Sequence, residues 1–381
     1  MSDMTTLAQV HAMLPGSALI NISPEAAQLA SISRVGSDSR QIDAKELFVA
    51  LTGDRFDAHD FLSDVAKAGA TGVLISNQEK CPESLPAVCV ADTRIGLGVF
   101  AKAWRANHPI PLALVTGSNG KTTVKEMIAS IFRAAVGEAH TLVTKGNLNN
   151  DIGLPLTLLK LSSTDRLAVV ELGMNHPGET AQLADIAQAN IALINNAQRE
   201  HQEFMATVAA VAQEHSDAIR ALPKDGIAVF PADSEFVNVW QEAAAGRKII
   251  DFVLQSGQST LQAAVMGRLL NNGHVHVQTE LGSIEIQLNT LGSHNARNAL
   301  AASAVAVAAG LSLENIKQGL ESFSPVNGRM QAKKIDPNHT LIDDSYNANP
   351  DSVRAAIDAL KLSGNISWLV LGDMGEVGNQ G

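Results

Sequence analysis

The chain has 381 residues, 45% of them apolar and 18% charged, with a formal net charge of −11. With no low-complexity tract, that composition describes a globular chain of about two or three domains. The negative balance argues against nucleic acid as the main partner, because proteins that bind the phosphate backbone are normally basic.

Residues 1–14 have neither a basic flank nor an apolar core, so they do not form a secretory signal. Residues 1–107 read as a small α/β unit, with strands expected at 46–51, 72–76 and 87–90 and a helix near 60–69. Cys81 and Cys89 fit no disulfide framework or metal spacing and read as thiols in a reducing compartment. Pro109 and Pro111 mark a hinge, since prolines so spaced sit in neither a helix nor a central strand.

The strongest local signal follows. Residues 110–115 are apolar and β-prone, and they run through Thr116-Gly117-Ser118-Asn119-Gly120-Lys121-Thr122-Thr123 into apolar positions at helical spacing (Val124, Met127, Ile128, Ile131, Phe132). Strand, glycine loop, Lys-Thr and helix is the way proteins hold a nucleotide triphosphate. Loop N–H groups and the helix N-terminus meet the phosphates, lysine adds a point charge, and the threonine hydroxyl reaches Mg²⁺. The strict motif has glycine where this chain has Val115.

Further strands expected at 168–172, 191–195 and 226–230 alternate with helices, which argues for a mostly parallel sheet. Glu171 closes one of these strands, at the sheet edge where α/β proteins bind ligands, and is a candidate Mg²⁺ ligand. His201 follows the next strand. Asn147, Asn149 and Asn150 crowd one loop that is either a turn or a binding segment. Two-fold alternation over 264–288 suggests an antiparallel insert, and a long Ala/Val helix is expected over 296–309. The longest apolar run, 299–311, is shorter than the ~20 residues a membrane span needs, so no membrane insertion is expected. Asn295, at the helix start, is either an adenine reader or an N-cap.

A last unit is expected from 325, with strands at 340–342 and 367–371 around a helix at 351–362. Between them lies Asp343-Asp344-Ser345-Tyr346-Asn347-Ala348-Asn349-Pro350, rich in groups for ribose, Mg²⁺ or substrate. A unit of this size is small to close its own core, so the chain is expected to be part of a longer protein.

Taken in order, these motifs resemble the Mur ligases, the ATP-dependent amide-forming enzymes of bacterial cell-wall synthesis. The resemblance covers nearly the whole chain and includes Asn327-Gly328-Arg329. The Asn147 to Pro155 and Asp343 to Pro350 segments are similar to those of members that join D-alanyl-D-alanine to UDP-N-acetylmuramoyl-tripeptide. Ser37-Asp38-Ser39-Arg40 and Asp92-Thr93-Arg94 are similar to first-domain segments that bind the UDP part or build that domain. The resemblance implies an α/β protein of three domains: a UDP-sugar-binding domain over 1–107, a central P-loop domain over 108–324 with a mostly parallel sheet, and an incomplete Rossmann-like ligase domain over 325–381. It implies a cytoplasmic, monomeric bacterial enzyme.

The resemblance also implies roles. Gly117, Ser118, Asn119, Gly120, Lys121, Thr122 and Thr123 would hold the ATP phosphates, with Thr122 on one Mg²⁺. Glu171 and His201 would hold a second Mg²⁺ against the acyl oxygen. Asn295 would read adenine, Arg329 the phosphates and Asp344 the ribose. Ser39, Arg40, Asn147, Asn149, Asn150, Tyr346, Asn347 and Asn349 would meet the other substrates. One position departs from the family. A lysine whose carbamate helps hold the second Mg²⁺ usually stands about fourteen residues after the histidine, and here that position is His215, beside Glu214. Glu214 is the better chemical substitute, since Mg²⁺ prefers anionic oxygen, and His215 the better positional one.

Three other readings stand beside this one. The chain is a sister Mur ligase or a folylpolyglutamate synthase; or a P-loop switch or motor, hydrolysing nucleotide without an amine acceptor; or a nucleotide-sugar binder without catalysis.

Overall fold

A computed structural model describes residues 3–374, apart from 54, 200–204, 206, 258, 271–272 and 364–365. Its backbone groups into two compact units. One contains Met1–Pro109, Lys145–Ser163 and Asp185–Ala187; the other contains Ile110–Thr144, Thr164–Ala184 and Gln188–Gly381.

In the first unit a five-stranded sheet runs in the order Ala18–Ile20, Ala87–Cys89, Gly72–Ile75, Glu46–Val49, Arg34–Gly36. All neighbours pair parallel except Ala18–Ile20 with Ala87–Cys89, which is antiparallel. Phe48, Val73 and Ile75 from the sheet pack with Leu62, Val65 and Leu85 into its core. Residues 145–163 join this unit through packing that the linear sequence does not announce. Trp104 Nε1, on the helix Thr93–Ala106, donates to the Leu161 carbonyl at 3.0 Å, and Arg94 Nε lies 3.2 Å from the Asp151 carboxylate.

The second unit is built on six parallel strands ordered Lys248–Ile249, Ile227–Val229, Ile191–Ile194, Leu112–Thr116, Leu167–Glu171, Thr141–Val143. The strand feeding the glycine loop is thus central, and burial on both faces explains its continuous apolar run. The helix Lys121–Val136 lays Val124, Met127, Ile128, Ile131 and Phe132 on the sheet; these positions share one helical face and all are fully buried. Against them packs Ser293–Ala308, apolar nearly all round. The longest apolar run of the chain is accordingly a core helix.

Phe252–Gln255 adds parallel to Val265–Leu269, which continues through His274–Thr279 and Gly282–Gln287 as an antiparallel meander. The C-terminal residues of this unit form an antiparallel hairpin, Gln331–Lys334 with Thr340–Asp343, and the helix Pro350–Ser363. The strand expected over 367–371 is not formed. Trp368 and Val370 are 87% and 93% exposed, and no neighbouring strand among the described residues supplies the ladder that would hold the segment extended.

Candidate active site

Strand register brings the expected nucleotide residues to one edge. Glu171 pairs with Val115 and Ile194 pairs with Thr116, so three adjacent parallel strands end together beside the glycine loop. That is where parallel α/β sheets bind ligands. Two glycines make the loop possible. Gly117 and Gly120 have φ of 134° and 77°, and a Cβ on Gly120 would lie 2.9 Å from both Asn195 Nδ2 and Asn298 Oδ1. Gly120 caps the helix without a side-chain bond, leaving the first N–H groups of Lys121–Val136 directed at the loop.

The loop is held by an amide clamp. Asn119 N–H donates to Asn196 Oδ1 at 2.8 Å, while Asn196 Nδ2 donates to the Asn119 carbonyl at 2.9 Å. Asn195 Nδ2 donates to the same carbonyl at 2.8 Å and to Asn298 Oδ1 at 3.0 Å. Ser118 Oγ accepts from Gln198 N–H at 2.9 Å. Lys121 Nζ donates to the Gly117 and Ser118 carbonyls at 2.5 and 3.2 Å, folding over the loop it follows. Thr123 lies half-buried in the first helical turn. The sequence reading named neither Asn195 nor Asn196 as a site residue. Two adjacent amides just past a buried parallel strand were the available signal.

Thr122 stands at the centre. Its Oγ1 donates to Glu171 Oε1 at 3.3 Å and accepts from Arg329 Nη2 at 3.3 Å. Glu171 is 2% exposed, and its backbone N–H donates to Thr144 Oγ1 at 3.0 Å. The carbonyl of Thr144 accepts from Lys125 Nζ at 2.9 Å, and this fully buried ammonium also pairs with Glu126. The guanidinium of Arg329 lies over the Tyr346 ring, 4.2 Å from its centroid. Hard oxygens on Thr122 and Glu171, with a cation opposite, suit Mg²⁺ and phosphate.

Asp344 Oδ1 accepts from Met330 N–H at 3.0 Å, which fixes the turn that carries Arg329. Burial pushes the His294 imidazole below its usual range, and the Asp344 charge partly restores it. Asn349 caps the helix Pro350–Ser363, accepting from Ser352 N–H at 2.8 Å, and its Nδ2 donates to Asn119 Oδ1 at 2.7 Å. Tyr346 and Asn347 are exposed. Asn295 is not the N-cap of its helix; Gly292 is. Asn295 Nδ2 donates to Thr290 Oγ1 and the Leu291 carbonyl, both at 2.8 Å, and its oxygen accepts from Asn298 Nδ2 at 3.2 Å.

His201 lies outside the described residues. The Glu214 carboxylate accepts from Gly178 N–H at 3.0 Å and Thr180 N–H at 2.9 Å, so it caps the helix Glu179–Ala187. His215 is fully buried with Nδ1 3.0 Å from Thr116 Oγ1. Among the described residues no group of three or more His, Cys, Asp or Glu is arranged to hold a metal.

In the first unit, Arg40 Nε and Nη2 meet the Asp38 carboxylate at 2.8 and 2.9 Å, and the guanidinium holds that carboxyl down at about 2. Ser39 beside them is half-buried. Asn150 Oδ1 accepts from Gly153 N–H at 2.8 Å and the Asn147 carbonyl from Asn149 N–H at 2.8 Å, so the asparagine loop is built as turns. Asn147 and Asn150 remain exposed.

Comparison with known proteins supplies the family. The Mur ligase middle domain matches residues 115–306, which contain the glycine loop, Glu171 and Asn298, and the Mur ligase glutamate ligase domain matches residues 328–380. The UDP-N-acetylmuramoyl-tripeptide–D-alanyl-D-alanine ligase of Haemophilus influenzae is 39% identical over 91% of this chain and 75% of its own length. The chain belongs to the Mur ligase family. Two solved Acinetobacter baumannii structures resemble it. One, of MurF, has a TM-score of 0.88 and 34% identity over 99% of this chain and 80% of its own. The other, of a UDP-N-acetylmuramoylalanyl-D-glutamyl-2,6-diaminopimelate–D-alanyl-D-alanyl ligase, has a TM-score of 0.85 and 35% identity over 98% and 80%. The mixed α/β architecture with its parallel sheet is that of the multidomain Mur ligases. No helix among the described residues is long and apolar enough to cross a membrane.

Proposed function

We infer that this Mur ligase is an ATP-dependent ligase that joins D-alanyl-D-alanine to UDP-N-acetylmuramoyl-tripeptide, releasing ADP and phosphate in peptidoglycan precursor synthesis. The observation that carries the inference is the meeting of Lys121, Thr122, Glu171 and Arg329 at one sheet edge, in a chain whose 39%-identical relative bears that activity in its name.

A free carboxylate does not form an amide in water, and phosphorylation supplies the leaving group. The terminal carboxylate of the tripeptide attacks the γ-phosphorus of ATP; the bond to ADP breaks and an acyl phosphate forms. The amine of D-alanyl-D-alanine then adds to the acyl carbon, loses a proton, and phosphate departs. Positioning and charge neutralisation are the protein's share of this chemistry.

We assign Gly117 to Thr123 to the phosphates, with Lys121 swinging from the loop carbonyls to the β/γ-phosphates and Arg329 opposing it. Thr122 and Glu171, with His201, would hold Mg²⁺. When bound, Mg²⁺ neutralises charge on the phosphate and acyl oxygens. Asn295 borders the adenine and Asp344 the ribose. Ser39 and Arg40 take the UDP-sugar in a first domain ending near residue 107. Asn147, Asn149, Asn150, Tyr346, Asn347 and Asn349 meet the tripeptide and dipeptide. The bonds already made by Glu214 favour a capping role over metal ligation. We read the enzyme as a cytoplasmic monomer.

The test is phosphate release from ATP with UDP-N-acetylmuramoyl-tripeptide, with and without D-alanyl-D-alanine. Release that needs both, one amide per phosphate, is expected. Release independent of both would replace the ligase with a nucleotide-driven switch.

A further inference from the structure

The bond network beside the glycine loop closes into a ring through two residues that the ligase chemistry leaves unused. Asp351 Oδ1 accepts from Arg199 Nη2 at 2.7 Å; Oδ2 accepts from Arg199 Nε and from its backbone N–H, each at 3.2 Å. Three donors from one residue on one carboxylate fix direction as well as distance. The side chains are 40% and 19% exposed, so the pair is only partly screened by water. Asp351 stands in the first turn of Pro350–Ser363, where a negative charge also suits the helix N-terminus. Arg354, one turn further along the same helix, adds to the cationic surroundings of the carboxylate, whose pKa Arg199 chiefly lowers.

Two residues before Asp351, Asn349 bonds Asn119 of the glycine loop at 2.7 Å. Three residues before Arg199, Asn196 clamps both the N–H and the carbonyl of the same Asn119. The path therefore runs from the glycine loop through Asn196 to Arg199, across to Asp351, and back through Asn349 to the glycine loop. Buried Ala359 packs the same helix near Gly292, and the Arg199–Asp351 pair adds a second polar attachment two residues from the Asn349 bond, at the end of the helix that faces the glycine loop. The segment so anchored also carries Arg329, whose guanidinium reaches Thr122 at 3.3 Å.

We propose that Arg199 and Asp351 are positioning residues of the ligase: their ion pair sets where the C-terminal segment stands over the glycine loop, and hence where Arg329 meets the triphosphate. The inference rests on the ligase reading for its kinetic consequence, and on geometry alone for its effect on nucleotide affinity.

The experiment compares the full chain with Arg199→Gln, Asp351→Asn and the double variant. Each single change is expected to lower kcat/KM for ATP about tenfold, the scale of one lost charge-assisted contact. The double variant should lose no more than either single one. KM for UDP-N-acetylmuramoyl-tripeptide should stay within about twofold, and added salt should weaken ATP use by the parent more than by the variants. Thermal midpoints report folding separately, and Arg199→Asp combined with Asp351→Arg is expected to recover part of the loss. Calorimetric ADP affinity of the same proteins reads the ring without turnover and should fall in parallel. ATP kinetics and ADP affinity equal to the parent's in both single variants, or losses that multiply in the double one, would overturn the proposal. A parent that binds ADP but forms no amide would instead refute the ligase reading.

Discussion

The two loops assigned to nucleotides are made in opposite ways. The glycine loop is fixed by Asn195, itself braced by Asn298, and by half-buried Asn196, which together take the N–H and carbonyl of Asn119, while Lys121 takes the Gly117 and Ser118 carbonyls. The Ser37-Asp38-Ser39-Arg40 loop of the first unit is held at the surface by the Asp38–Arg40 ion pair, whose arginine side chain is 85% exposed, and by two local turn bonds, from Arg40 N–H to Asp38 Oδ1 and from Gln41 N–H to the Asp38 carbonyl. The difference suits the chemistry proposed for each. Phosphoryl transfer is lost when reacting atoms move by about 1 Å, so its cradle is over-determined. Holding a nucleotide-sugar handle remote from the reacting bond tolerates adaptable side chains.

The contrast breaks first at the reacting groups. Lys121→Ala or Glu171→Ala is expected to reduce kcat by about 10³-fold or more while leaving the fold intact, as followed by phosphate release and circular dichroism. An active Glu171→Ala protein would remove that carboxylate from the mechanism. Next in size is the clamp. Asn196→Ala removes both side-chain bonds to the Asn119 peptide, and kcat/KM for ATP should fall by about 10- to 100-fold with little change in KM for the UDP substrate. Equal losses for both substrates would mean that Asn196 supports the unit as a whole and not the loop.

Arg40→Ala should do the reverse. Its exposed pair predicts a rise of about tenfold in KM for the UDP substrate, with ADP affinity unchanged by calorimetry. Glu214→Gln separates capping from metal binding. As a cap, the carboxylate accepts from Gly178 and Thr180, and the change should cost about 1 kcal/mol of stability in urea unfolding with the Mg²⁺ dependence of turnover unaltered. A shifted Mg²⁺ dependence at constant stability would return Glu214 to the metal.

Much of this arrangement was legible because it is local. A central strand buried on both faces reads as an unbroken apolar run, and the period of Val124 to Phe132 gives the helix after the loop. What escaped is non-local or lacks a neighbour. Residues 145–163 join the first unit through Trp104 and Arg94, some fifty residues upstream in the chain, and no pattern within the loop records that. Asn196, Arg199 and Asp351 draw their meaning from partners at distances of 77 to 152 residues along the chain. The apolar run 367–371 looks like a strand in isolation, but extended backbone becomes a strand only beside another. Gly292 took the capping position because Asn295 turns back to Thr290 and Leu291, a choice made by the preceding turn.

The smallest expected effect concerns the surface pair itself. Arg40 lowers the Asp38 carboxyl to about 2 from an ordinary value of 3.8, so the folded state favours the ionised form. A depressed folded pKa contributes stability that is fully present above the unfolded value and is lost as pH falls through the folded one. The contribution should therefore be constant from neutral pH down to about 5, and should fade between about 4 and 2. Comparing the parent with Asp38→Asn by urea midpoint across that range tests it: the two curves should stay parallel above pH 5 and converge below 4. Convergence already near pH 6 would mean that a group other than Asp38 governs the loop. The titration lies far below any pH at which the ligase works, so the loop's exposure leaves its charge pattern unaltered where the substrate is bound. Its adaptability is conformational and not electrostatic.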